Sequence, residues 1–259
     1  MGPKVSIVLP TYNQARYLPR ALDSIFAQTF RDFELIVVND GSTDETASIL
    51  ASYQQMHDFA LIEQENKGLP TALNVGFAQA RGEYLTWTSS DNVMMPEMLE
   101  VLVQALDENP GVGLVYADWY VVDEQDQVLA IARTIDYDRF LLLRDNYINA
   151  CFLYRRECAE KVGLYDVDFM YCEDWDYWLR MARFYKMMHI DQILYQYRIH
   201  EDSLTSALAN RPESSERYGR FAKYWRGENP IAWYYSKLKW HLLKRCLGHA
   251  PTVTYQPVH

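Results

Sequence analysis

The first apolar run of this sequence ends in Pro10-Thr-Tyr-Asn13, a turn with neither glycine nor lysine, so a glycine-rich, basic phosphate loop is missing where one would be expected. No uninterrupted apolar run reaches the about 18 residues that would span a bilayer. The start, Met1-Gly-Pro-Lys4, leads straight into a strand with no basic region ahead of an apolar core, so no signal peptide is expected. Cysteine is sparse: Cys151, Cys158, Cys172 and Cys246 show no Cys-x-x-Cys spacing, and free thiols in a reducing cytoplasm are the expectation. Positive charge is short as well. With 25 Lys and Arg against 35 Asp and Glu, the formal charge of −10 argues against a nucleic-acid partner.

What is present describes a soluble globular chain, 49% hydrophobic and 23% charged. Its 259 residues allow one large domain, or one domain with an appendage. The charge is unevenly spread. From Arg211 onward there are nine Lys and Arg against three Glu, which leaves 16 against 32 for residues 1–210. An acidic body over 1–205 and a basic, aromatic-rich helical extension over 206–259 are therefore expected.

Lys4 to Leu9 reads as a doubly buried parallel strand. Pro19 suits the first turn of a helix whose Leu18, Leu22, Ile25 and Phe26 share one face. Phe33 to Val38 is the next strand, running into Asp40-Gly41. Ser42 with Glu45 three residues on predicts a capping box for the following helix. A third strand over Ala60 to Gln64, a helix over Pro70 to Ala80 and a fourth strand from Tyr84 continue the βαβ rhythm of a parallel sheet. Further on, Pro96 to Leu106 predicts an amphipathic helix, Val112 to Tyr116 a strand, and Trp119 to Ala130 an antiparallel excursion. Residues 131–148 carry no readable pattern. A strand over Asn149 to Tyr154 and a short helix from Arg156 to Val162 follow. Trp175, Trp178, Leu179 and Ala182 then mark the core face of a helix starting near Asp174, with Asp176 and Arg180 as a solvent-side pair. His189 to Tyr195 is the last strand of the body, and Tyr197-Arg-Ile-His200 leaves it in a polar loop.

Four strands end in polar turns: Pro10-Thr-Tyr-Asn13, Asn39-Asp-Gly-Ser42, Asn66-Lys-Gly68 and Ser89-Ser-Asp-Asn92. Open α/β sheets bind ligands at the carboxyl ends of their strands. Together with Glu173-Asp174-Trp175-Asp176 and Tyr197-Arg-Ile-His200, and in this order, these turns resemble the family 2 glycosyltransferases of the GT-A fold. The resemblance covers about residues 4–205. It implies an α/β, Rossmann-like, mostly parallel sheet and an inverting transfer from a nucleoside diphosphate sugar, with a uridine donor the commonest choice. It implies further that Pro10, Thr11, Tyr12 and Asp40 hold the nucleoside, and that Lys67, Gly68, Asn74 and Ser90 line the same cleft. Asp91 and His200 would bind Mg²⁺ or Mn²⁺, and Asp174 would be the catalytic base. One departure stands out: Ser89 occupies the first position of the usual Asp-x-Asp triplet, and Asn92 replaces an Asp that often follows it. Fewer carboxylates should weaken metal affinity. A non-catalytic nucleotide-sugar-binding protein is the alternative that this thinned triplet raises. A nucleotidyltransferase is disfavoured by the missing glycine-rich loop.

Beyond Asn210 the composition changes to cations among aromatics. Pro230 to about Leu247 predicts a helix with two apolar stripes: Ile231, Tyr235, Leu238 and Leu242, and nearly opposite, Trp233, Trp240, Leu243 and Leu247. One stripe can pack on the body. The tryptophan stripe is expected to be left over, and with the flanking lysines it would give residues 211–259 a weak attachment to anionic membranes. The acceptor would then be a carbohydrate or lipid-linked molecule of the cell envelope, met at the inner face of the membrane.

Overall fold

The computed structural model describes residues 2–201, 203, 212–228, 230–247 and 252–258. Its centre is strand β1 (Val5–Thr11), buried along its whole length. It pairs in parallel with β2 (Phe33–Asn39) on one side and β4 (Tyr84–Trp87) on the other, and β3 (Ala60–Glu63) lies parallel beyond β2. Three helices make the crossovers: α1 (Leu18–Phe26), α2 (Thr46–Gln54) and α3 (Leu69–Gln79). Past β4 come a two-residue strand β5 (Val93–Met94) and helix α4 (Met98–Glu108). The sheet then turns antiparallel through β6 (Val112–Val122), β7 (Val128–Thr134) and β8 (Phe152–Arg155). A long strand β9 (Lys186–Arg198) runs parallel to β6 and also pairs with β5. Short helices α5 (Arg139–Leu142) and α6 (Arg156–Val162) and helix α7 (Glu173–Met181) connect these strands.

Alternation along the parallel strands divides the core into two layers, one on each face of the sheet. Ile7, Leu9, Leu35 and Val37 pack with α1 and α4 on one face. Val8, Ile36, Val38, Leu85 and Trp87 pack on the other with Trp175 and Trp178 of α7. On that second face α3 lies tight against the sheet at Gly76, where an added Cβ would come within 2.5 Å of a Val8 methyl.

Further elements follow β9. Helices α8 (Pro212–Glu228) and α9 (Pro230–Leu247) lead to strand β10 (Val253–Pro257), which pairs antiparallel with β7 at the edge of a ten-stranded sheet.

Four local expectations are corrected. Ser42 does not cap α2: its Oγ accepts the Asn13 N–H at 3.0 Å, and Asp44 instead accepts the Thr46 N–H at 3.1 Å. Val112 to Tyr116 and the excursion after it share one continuous strand, because β9 pairs along all of β6. Tyr197 and Arg198 belong to β9 rather than to a loop. Asp176 is 1% exposed, not solvent-side, since Trp225 of α8 covers it and donates its indole N–H at 3.1 Å.

The two stripes of α9 are reversed from expectation. Trp233 and Trp240 pack against the core, whereas Ile231 is 84% and Tyr235 55% exposed. The side chains of Leu238, Leu242, Leu243 and Leu247 lie outside the described residues, as does that of Cys246. Cys151, Cys158 and Cys172 are free and buried. No described helix is long and apolar enough to cross a membrane.

Candidate active site

The carboxyl ends of β1, β2 and β4 open on one cleft of about 630 Å³. Pro10, Thr11, Tyr12, Asp40, Gly68, Ser90, Asp91 and Asp174 all line it, so the structure brings together most of the residues singled out from the sequence. The Asp40 N–H bonds the Thr11 carbonyl at 2.9 Å, which sets the β1 and β2 turns side by side. Asp40 then organises the next turn. Its Oδ1 accepts from the Lys67 N–H at 2.9 Å and Gln64 Nε2 at 2.6 Å, and its Oδ2 from the Gly68 N–H at 2.9 Å. Glycine is needed at two points here. Gly41 has φ +75° and an added Cβ would meet the Asn66 nitrogen at 2.7 Å; Gly68 has φ +83° and faces the Met170 thioether. The Thr11 hydroxyl is buried with no protein partner.

Opposite these turns, β4 delivers Ser89-Ser-Asp-Asn92. Arg198 fixes this turn from below. Its Nε donates to the Asp91 carbonyl at 2.9 Å, its Nη1 to the Asp123 carbonyl at 2.6 Å, and its Nη2 pairs with Asp126. Asn92 also lines the cleft, but its Oδ1 is engaged, accepting the Arg198 N–H at 2.8 Å. The Asp91 side chain meets His200, with Oδ2 and Nε2 hydrogen-bonded at 3.0 Å. Asp91 Oδ1 and His200 Nδ1 are both buried without a protein partner. The free Asp91 carboxylate oxygen is a donor of the kind that suits a divalent cation, and the free imidazole nitrogen is a second possible ligand type. Among the described residues no group of three or more His, Cys, Asp or Glu is arranged so that it could hold a metal ion by itself. The remaining positions around an ion would therefore fall to ligand oxygens and water. Ser89 offers only a hydroxyl.

The far wall is α7. Cys172 precedes it, and Glu173 and Asp174 occupy its first turn, where the helix dipole favours negative charge. Asp174 Oδ1 accepts the Trp175 N–H at 2.7 Å and Oδ2 accepts from Asn146 Nδ2 at 2.7 Å. Burial pushes the Asp174 carboxyl up from its ordinary value, and these hydrogen bonds oppose the shift. Trp175 itself is core, with its indole N–H on the Leu142 carbonyl at 2.6 Å.

Three expected residues stand apart from the cleft lining. Lys67 contributes its backbone to Asp40, and its side chain is exposed. Asn74 holds Tyr165 instead, donating to its carbonyl and accepting its N–H, both at 2.8 Å. His200 reaches the cleft through Asp91. Conversely, Asn146 and Tyr171 line the cleft unannounced. Tyr171 has φ +77°, an uncommon strain for a bulky residue and frequent at functional sites. Neither residue type nor spacing marked them, since Asn146 lies in the patternless segment.

A parallel half-sheet with ligand-competent turns, an acidic turn after its fourth strand and a helix-borne carboxylate across the cleft make up the GT-A fold of nucleotide-sugar-dependent transferases. The model of the family described as "Glycosyl transferase family 2" matches residues 6–163, and the chain belongs to that family. An uncharacterized glycosyltransferase of Rickettsia prowazekii (strain Madrid E) is 33% identical over 225 residues, covering 83% of this chain and 70% of that protein. Glycosyltransferase GlyG of Streptococcus pneumoniae serotype 4 is 36% identical over 128 residues, covering 49% of this chain and 42% of that protein. Among solved structures, S. aureus TarS 1-349 in complex with UDP-GlcNAc aligns over 90% of this chain and 79% of its own, at TM-score 0.64 and 19% identity. The mannosyltransferase PcManGT of Pyrobaculum calidifontis, in complex with GDP-Man and Mn²⁺, aligns over 97% and 77% at TM-score 0.60 and 21% identity. At these identities the structural neighbours speak for the fold. The chain is an enzyme of the glycosyltransferase type.

Proposed function

We propose that the chain moves a sugar, with inversion, from a nucleoside diphosphate donor to an acceptor hydroxyl, with Asp174 as the general base. The observation that carries this reading is the half-buried Asp174 carboxylate, held in the cleft by Asn146 and the Trp175 N–H, with Asp91, backed by His200, lining the same cleft. Thr11, Tyr12 and Asp40 would receive the nucleoside, a uridine in the first instance, at the joined β1 and β2 turns. The acceptor hydroxyl gives its proton to Asp174 as its oxygen bonds to the anomeric carbon. The bond from that carbon to the diphosphate breaks on the opposite face, and the nucleoside diphosphate leaves.

Asp91 and His200 would hold the divalent cation, Mg²⁺ or Mn²⁺, with the Asp91 carboxylate and the diphosphate oxygens as the donors that suit either ion. Bound there, the ion would offset charge building on the diphosphate. With Ser89 supplying no carboxylate and Asn92 engaged by Arg198, its affinity should be low. That a structural neighbour binds GDP-Man together with Mn²⁺ supports this assignment.

The acceptor would be a carbohydrate or a lipid-linked molecule. A weak, reversible attachment to an anionic membrane would suit it, and the exposed Ile231, Tyr235, Lys237 and Lys244 of α9 are the residues to make it. The Asp174→Asn enzyme tests the central role. Transfer should fall on the order of 10²–10⁴-fold while donor affinity stays near wild type. Near-normal turnover in the variant would remove Asp174 from the mechanism.

A further inference from the structure

Asp174 is not held by its own helix alone. Asn146, whose Nδ2 donates to Asp174 Oδ2 at 2.7 Å, comes from the 143–150 segment after the four-residue helix α5. Its other amide atom, Oδ1, is buried without a protein partner, and the residue lines the cleft. On both sides of Asn146 the chain is tied to the C-terminal region. Arg144 Nε donates to Ser236 Oγ at 2.8 Å, its Nη2 donates to the Trp233 carbonyl, and its guanidinium lies 4.0 Å from the Trp233 ring centre. Asp145 accepts from the Thr252 hydroxyl. The Tyr147 carbonyl accepts from Thr134 Oγ1 at 2.9 Å, on the strand that β10 pairs with. Lys239 pairs with Asp138 just before α5. Ser236 and Thr252 are both fully buried, so these are interior contacts that solvent does not compete for.

We propose that Asn146 is the positioning residue of the general base, and that α9 and Thr252 hold Asn146 in place through Arg144 and Asp145. This rests on the reading of Asp174 given above. A neutral amide donor on a carboxylate makes a charge-assisted bond that favours the ionised form and fixes which lone pair faces the cleft. Burial works the other way on Asp174, so losing the Asn146 bond leaves the base protonated to higher pH. The titratable groups that feel the Asp174 charge are Glu173 beside it, Cys172 before the helix and Tyr165 from the preceding turn. Burial holds the thiol and the phenol in their neutral forms, which leaves Glu173 as the carboxyl that the Asp174 charge raises. The C-terminal helices thus belong to the catalytic apparatus without touching the cleft.

The test is the pH profile of kcat/KM for transfer by the full chain, with donor affinity measured alongside. Asn146→Ala should lower kcat roughly ten- to a hundredfold with donor affinity near wild type, and should move the acid limb to higher pH. Asn146→Asp keeps the side-chain size, so the fold is spared, yet sets a second carboxylate against Asp174; its acid limb should move further in the same direction. Arg144→Ala should move the limb the same way by less. A kcat loss with the limb unmoved in both Asn146 variants, or an Arg144→Ala enzyme indistinguishable from wild type, would overturn the proposal. Failure of the underlying reading looks different. There the Asp174→Asn enzyme itself turns over normally, whereas its full loss beside unshifted Asn146 variants rejects the positioning role alone.

Discussion

Glu173 and Asp174 are adjacent carboxylates in the first turn of α7, and their surroundings separate them. Asp174 takes two donors, while Glu173 is 5% exposed and its Oε2 has no partner. Burial first, and then the charge of Asp174, push the Glu173 carboxyl up to about 8. A raised carboxyl means that the fold favours the protonated acid. That contribution to stability is complete below the ordinary carboxylate range and is lost as pH rises through about 8. The Glu173→Gln protein, permanently neutral there, should melt with wild type in acid and increasingly above it as pH rises toward about 9. Thermal denaturation across that range checks the sign. A variant that loses ground to wild type as pH rises would show that Glu173 is stabilised as an anion. Ser89 is informative at the same scale. Its hydroxyl at the rim of the cleft leaves Asp91 as the carboxylate of the turn proposed to hold the cation, so Ser89→Asp should tighten divalent-ion binding, measured by calorimetry with donor present. Unchanged affinity would place the ion elsewhere.

Elements of the parallel half were legible because each obeys a local rule. Apolar runs marked β1, β2 and β4, and the Trp175–Trp178–Leu179 spacing marked α7. Gly76 adds a check on that layer. With a Cβ there meeting Val8 at 2.5 Å and Val38 at 3.2 Å, Gly76→Ala should cost about 1–3 kcal/mol by overpacking α3 on the sheet. Urea denaturation at unchanged m-value is the measurement, and no loss would mean that α3 can shift without strain. What was not legible depends on residues distant in sequence. The 131–148 segment takes its shape from Lys239, Ser236 and Thr252, about a hundred residues on, so no local periodicity could announce Asn146. Arg198 reads as one more polar residue after a strand until its three carbonyl and carboxylate partners are seen. Ser42 and Glu45 matched a capping pattern, yet the competing need of the β1 turn for Ser42 prevailed.

At the scale of the molecule, the basic C-terminal region proves to be bound to the acidic body by specific contacts rather than by bulk charge. Trp225 donates to buried Asp176, Arg144 lies over Trp233, and β10 extends the sheet. Docking uses the tryptophans that were expected to be left for a partner. Any membrane contact then falls to Ile231, Tyr235 and the exposed lysines. Lys237→Glu with Lys244→Glu should weaken co-sedimentation of the full chain with anionic vesicles at low salt, at about 1 kcal/mol per basic residue removed. Equal binding by the charge-reversed chain, or none by wild type, would leave α9 as a clasp alone. In the mechanism proposed, donor turnover draws on the β1, β2 and β4 turns and α7 together. The most direct measurement is release of nucleoside diphosphate from a panel of UDP- and GDP-sugars by the purified chain, with Mn²⁺ or Mg²⁺ and again in EDTA. One donor class should be turned over, EDTA should suppress it, and metal should saturate only at high concentration. Turnover indifferent to EDTA, or no turnover of any donor with metal present, would contradict that mechanism.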